Sequence, residues 1–116
     1  MAREFTRNVR IAEAIRRITA PEVDALARSA GLGMVTITKV DVASDLSVAC
    51  VFVSVLSSHA DTAPKLDALR LALPRLRSKV ARELRLKKMP KLTLAFDESV
   101  ARSARISELL APPRRH

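Results

Sequence analysis

The chain is poor in the residues on which much protein chemistry depends. Its 116 residues include two glycines, one cysteine, two histidines, three phenylalanines, and neither Trp nor Tyr. Each scarcity removes a class of function. Gly31 and Gly33 are the only glycines, so no Walker A or GxGxxG phosphate loop can be written and nucleotide hydrolysis by that route is excluded. A lone Cys50 can form no internal disulfide and supplies no metal-binding pair. His59 and His116 lie far apart, which argues against a zinc site. Without Trp or Tyr, and with Phe52 and Phe96 in strand patterns that place them in the core, no aromatic sheet is available to stack unpaired bases. No apolar run approaches the roughly 20 residues of a membrane span, and no signal-peptide core follows Met1. A reducing cytoplasm is the expected location.

Positive charge is what the chain has in excess. Lys and Arg number 21 against 12 Asp and Glu, a formal net charge of +9. Such a balance favours anionic partners, nucleic acid foremost. Most of the cations fall in three clusters: Arg3, Arg7, Arg10, Arg16 and Arg17; then Arg75, Arg77, Lys79, Arg82, Arg85, Lys87, Lys88 and Lys91; then Arg102, Arg105, Arg114 and Arg115. Glu83 is the one carboxylate within the second. A solvated face explains any single charge, but not three clusters with so little acidic compensation. Arginine-rich contact without aromatics suits the shape and phosphates of a folded RNA.

Hydrophobic patterning gives the fold. Residues 5–30 read helical, with Val9, Ala12 and Ile15 on one face. Thr19 followed by Glu22 has the spacing of a capping box, and Pro21 suits a first turn, so the segment is expected as a kinked helix or two short ones. Gly31-Leu32-Gly33 ends it. Met34–Val42 and Leu46–Leu56 are β-rich and joined by Ala43-Ser44-Asp45, a hairpin whose second strand is apolar on both faces and therefore central. Cys50 within it reads as a small core hydrophobe. Ala63–Leu73 and Arg75–Leu86 are helical, with a break at Pro74. Lys91–Asp97 alternates as a third strand, and Ser107–Leu110 could form one helical turn. The expected fold is α+β in two layers, order α-β-β-α-α-β, a three-stranded mixed sheet with helices on one face. Residues 1–110 form one domain and 111–116 a flexible basic end. No catalytic residue, metal site or cofactor is expected: His59 sits in a polar connection, and Asp41, Asp45, Asp97 and Glu98 are turn and strand-end carboxylates.

That order, with basic helices and a kinked pair at Ala72, Leu73 and Pro74, resembles a type II KH domain. A series of segments is more specific: Ala2-Arg3-Glu4-Phe5 with Arg7 and Arg10-Ile11-Ala12; Leu32-Gly33-Met34-Val35-Thr36-Ile37-Thr38-Lys39-Val40-Asp41-Val42; Ser44-Asp45-Leu46; Val51-Phe52-Val53-Ser54-Val55-Leu56; Leu84-Arg85-Leu86-Lys87-Lys88-Met89-Pro90-Lys91-Leu92; Phe96-Asp97-Glu98-Ser99; and Arg105-Ile106-Ser107-Glu108-Leu109-Leu110. In this order, over residues 2–110, they resemble the bacterial ribosome-binding factor A family. The resemblance implies a non-catalytic, monomeric assembly factor that binds the immature 30S subunit near the decoding-centre neck. It implies help in maturing the 5′ end of 16S rRNA, support of growth in the cold, and departure before translation. The family lacks the KH GxxG loop and has an Ala-x-Gly kink, where this chain has Pro74 in place of Gly. It also tends to Asp-Pro-Arg where this chain reads Ser29-Ala30-Gly31.

The expected RNA contacts are Arg75, Arg77, Lys79, Arg82, Arg85, Lys87 and Lys88, with Arg3, Arg7 and Arg10 as a second set. Competing readings are a permanent ribosomal protein or general RNA-binding module, a basic membrane-surface protein, and, least supported, an enzyme.

Overall fold

A computed structural model describes the backbone at residues 2–55 and 62–97, with side chains described at 7–55 and 63–97. The order is α1 (Ala2–Ser29), β1 (Val35–Val42), β2 (Val48–Val55), α2 (Thr62–Arg70), α3 (Leu73–Leu84) and β3 (Lys91–Phe96). The sheet runs β1-β2-β3, with β1 antiparallel and β3 parallel to the central β2. This is the α+β, KH type II-like order that the sequence predicts.

The sheet is two-sided by composition. Ala49, Val51 and Val53 alternate onto the helix face of β2, joined by Val35, Ile37 and Val40 of β1 and by Leu92 and Leu94 of β3. Ile15, Val23 and Ala27 of α1, Leu66 and Leu69 of α2, and Leu76 and Val80 of α3 close over them as one core. The register slips between Ile37 and Lys39, leaving Thr38 as an unpaired bulge residue. That slip keeps Val40 on the core face after Ile37, three residues on rather than two.

Several expectations are corrected, Val9 first, which is exposed rather than on the packed face of α1. Thr19 does not cap a helix, because α1 is continuous through Pro21. The Thr19 hydroxyl is buried and donates to the Ile15 carbonyl at 2.7 Å, while Glu22 turns to α3 instead. Pro21 removes the N–H that would reach the Arg17 carbonyl, but both residues sit on the exposed side, where water can serve. Phe52 and Cys50 are half-buried on the sheet face turned away from the helices, not in the core. Two-residue alternation from buried Val51 and Val53 puts them there, and the Lys39 ammonium lies 4.8 Å from the Phe52 ring centre. The α2–α3 break falls at Leu71-Ala72, so Pro74 begins α3 rather than interrupting a helix, and α3 stops at Leu84.

The end of α1 follows expectation. Gly31 has φ +67°, Leu32 N–H donates to the Ala27 carbonyl at 2.8 Å and Gly31 N–H to Arg28 at 3.3 Å, the paired bonds of a Schellman close. His59, Glu98, the cluster at Arg102, Arg105, Arg114 and Arg115, the turn at 107–110 and the end at 111–116 lie outside the described residues.

Candidate nucleic-acid interface

The long α1 and the β1–β2 turn meet at one end of the sheet. Asn8 donates through Nδ2 to the Ala43 carbonyl at 3.3 Å. The chain leaving α3 returns to the same end: Lys91 N–H donates to the Ser47 carbonyl at 3.0 Å, starting β3 beside β2. Nearer the other end, Glu22 of α1 is paired with Lys79 of α3. The two helices therefore run antiparallel. The early turns of α1 and the 85–90 connection lie toward the β1–β2 turn, and α3 runs toward it, its last turn level with the middle of α1.

Much of the expected set lies on these surfaces. Arg7 and Arg10 flank Asn8, Arg82 and Arg85 close α3, and Lys87 and Lys88 lie in the connection. All six are exposed. Arg7, Arg10, Arg82, Arg85 and Lys87 enter no ion pair or side-chain hydrogen bond among the described residues. Arg85 stands at φ 50°, ψ 43°, the left-handed cap of α3, and its N–H donates to Ala81 at 3.0 Å. Asp45 of the β1–β2 turn lies within reach of the Lys88 charge. The Ser47 hydroxyl (2.6 Å) and N–H (3.0 Å) both donate to it, and together with the Lys88 charge they hold its carboxyl below the usual range.

The remaining residues of the second cluster have other engagements. Successive helical residues turn by about 100°, which puts Arg75, Lys79 and Arg82 on one side of α3 and Arg77 on the opposite flank. Lys79 is paired with Glu22 at one-third exposure of both side chains. That hydrogen bond and charge, with a smaller contribution from Arg75, hold the Glu22 carboxyl below its ordinary range. Arg77 donates through Nε to the Pro90 carbonyl and through Nη2 to Met89, each at 3.2 Å. The kink residues Ala72, Leu73 and Pro74 open α3, at the end of that helix remote from Arg85. The Arg3 side chain lies outside the described residues.

Arg17 is the cation that the contact set omitted. It is exposed and unpaired among the described residues, two helical turns or about 10.5 Å from Arg10 on the same side of α1. The seven-residue spacing was the available signal. By contrast Arg16 and Arg28 sit near their own helix carboxylates, Glu13 at 3.6 Å and Asp24 at 2.8 Å, exposed pairs of little energetic weight. Among the described residues no group of His, Cys, Asp and Glu could hold a metal ion, and no helix is long and apolar enough to cross a membrane.

Fold and surface together define a small α+β module of KH type II-like order with an exposed surface rich in cations that are unpaired among the described residues. The chain belongs to the ribosome-binding factor A family, whose profile matches residues 7–110. It is 40% identical over 117 residues to the ribosome-binding factor A of Halorhodospira halophila, covering 97% of this chain and 93% of that one. It is 35% identical over 112 residues to that of Pseudomonas fluorescens, covering 95% and 84%. Among solved structures, the crystal structure of ribosome-binding factor A from Thermus thermophilus superposes with a TM-score of 0.64 at 27% identity, over 76% of this chain and 93% of that one. A homology model of the Thermus thermophilus factor, fitted into a cryo-EM map of a 30S–RbfA complex, matches with a TM-score of 0.59 at 28% identity, over 73% and 89%.

Proposed function

We propose that this chain binds the small ribosomal subunit while the subunit is still immature, and assists maturation of 16S rRNA, including its 5′ end, without itself catalysing a reaction or using a cofactor. The observation that carries this is the run of free charge: Arg7, Arg10, Arg82, Arg85 and Lys87, unpaired among the described residues, lie along the exposed surfaces of α1, the end of α3 and the 85–90 connection that lead toward the β1–β2 turn. Family membership supports it, as does the 30S complex of a relative. Arg75, Lys88 and Arg17 extend the surface, and Arg3 and Lys79 are reserve contacts. Released counterions supply much of the binding, so affinity falls steeply with salt.

In this reading the factor acts as a monomer in the cytoplasm. It favours one rRNA conformation by binding it more tightly than the alternatives, the only way a ligand shifts such an equilibrium. Slow rearrangement of rRNA in the cold is where that bias counts most. The test is sedimentation of a lysate at moderate salt, with each fraction probed for the protein. Co-migration with free small subunits and absence from translating ribosomes is the expected result. Co-migration with translating ribosomes would make it a permanent ribosomal protein, and retention at the top of the gradient at low salt would remove the ribosome from its function.

A further inference from the structure

Arg77 sits within the basic cluster by sequence but is turned away from it in space. Its guanidinium spans two consecutive carbonyls, Pro90 through Nε and Met89 through Nη2, both at 3.2 Å. These carbonyls belong to the connection that carries Arg85, Lys87 and Lys88 from the end of α3 to the start of β3. Leu86 and Met89 pack against the core and Pro90 is buried, but apart from Arg77 the backbone of the connection is held, among the described residues, only at its two ends, by Arg85 N–H to Ala81 and Lys91 N–H to Ser47. Pro90, just before β3, and Leu94 within it have the same parity, and the bonds from Lys91 to Ser47 and from Asp97 to Val53 show that odd-numbered residues face the neighbouring strand. Even-numbered carbonyls therefore point outward along the sheet edge. Arg70 of α2 takes the Leu94 carbonyl at 3.2 Å, as Arg77 takes that of Pro90.

We propose that Arg77 is a positioning residue for RNA binding rather than a phosphate contact: its planar fork braces the 85–90 connection so that Arg85, Lys87 and Lys88 are presented in one arrangement. The inference rests on the nucleic-acid reading of that end of the molecule. A brace of this kind needs geometry, not charge. Lysine keeps the charge but cannot reproduce two donors in a fixed fork. Preorganisation improves binding by reducing what must be ordered in the complex.

The test uses the full-length chain with purified small subunits, comparing Arg77→Lys and Arg77→Gln with the unmutated protein. The brace predicts that both variants lose about tenfold in affinity, within twofold of one another, while the melting temperature moves little. A phosphate contact predicts that Arg77→Lys binds almost normally and Arg77→Gln does not, and that result overturns the proposal. So does normal binding by both variants, or a loss of binding that accompanies loss of the fold in both. A measurement on the unmutated chain stands beside it: phenylglyoxal labelling read residue by residue. The brace predicts slow labelling of Arg77 without subunits and no change on adding them, with Arg82 fast and then protected. Fast labelling of Arg77 that the subunit suppresses contradicts it. If the unmutated chain fails to bind subunits, the functional reading falls; slow labelling of Arg77 in the free chain would still show the brace.

Discussion

Lys79 of α3 donates a hydrogen bond to Glu22 of α1, tying the two antiparallel helices together beside the basic surface. The pair engages a cation that the sequence assigns to RNA contact, and it takes the carboxylate that a Thr19 capping box would have used. It also carries a pH dependence. The Glu22 carboxyl is held below its ordinary range by the Lys79 hydrogen bond and charge, so the folded chain binds that proton less readily than the unfolded one. The stabilisation is therefore fully present above the unfolded value, about 4.3, and is lost as pH falls through the lower folded value. Glu22→Gln is expected to melt below the unmutated chain at pH 7, with the gap closing as pH falls below about 4.3. A gap that persists at the lowest pH would show that the carboxylate is not its source.

Thr38, the bulge residue of β1, donates to the Asp97 carboxyl at 2.5 Å, across the sheet from just beyond β3. Thr38→Val keeps the side-chain shape and removes the donor. It should cost about 1.5–3 kcal/mol, the range for a hydrogen bond to a charged group, read from urea unfolding. An unchanged midpoint would mean that the bulge does not depend on this bond.

Leu69 and Leu71 are two residues apart and opposite in environment, 1% and 85% exposed. Leu69→Ala empties part of the core beneath α2 and should cost about 2–5 kcal/mol. Leu71→Ala should stay within about 0.5 kcal/mol. Thermal melts of the two variants check both, and a large loss at Leu71 would mean that the α2–α3 turn is packed against something more.

Gly31 has room for a side chain, with nothing within 4 Å of a built Cβ, but its φ is +67°. Gly31→Ala therefore isolates backbone strain at the end of α1, about 1–2 kcal/mol. Comparable stability would show that the helix end can re-form another way.

Much of this was legible in the chain. Alternation in Leu92, Leu94 and Phe96, the hairpin at Ala43–Asp45, and Gly31 past the end of α1 are local signals, and each led to the right element. Cys50 and Phe52 were misplaced because an apolar run looks the same whichever face is covered; only the helices decide that face. Thr19 and Glu22 misled because a capping box and a mid-helix pair share one spacing, and the choice was made by Lys79, fifty-seven residues on from Glu22. Within the basic cluster, charge was visible but occupancy was not. Arg77 and Arg82 look alike in sequence, yet one holds backbone carbonyls and the other is unpaired among the described residues.

The most direct test of the account is the salt dependence of small-subunit binding by the unmutated chain and by Arg82→Gln/Arg85→Gln. Each lost phosphate contact should flatten the plot of log affinity against log salt by about 0.7–0.9. The account predicts weaker binding and a slope shallower by about 1.5 in a variant that melts normally. An unchanged affinity and slope in a folded variant would show that this end of the molecule does not hold the RNA.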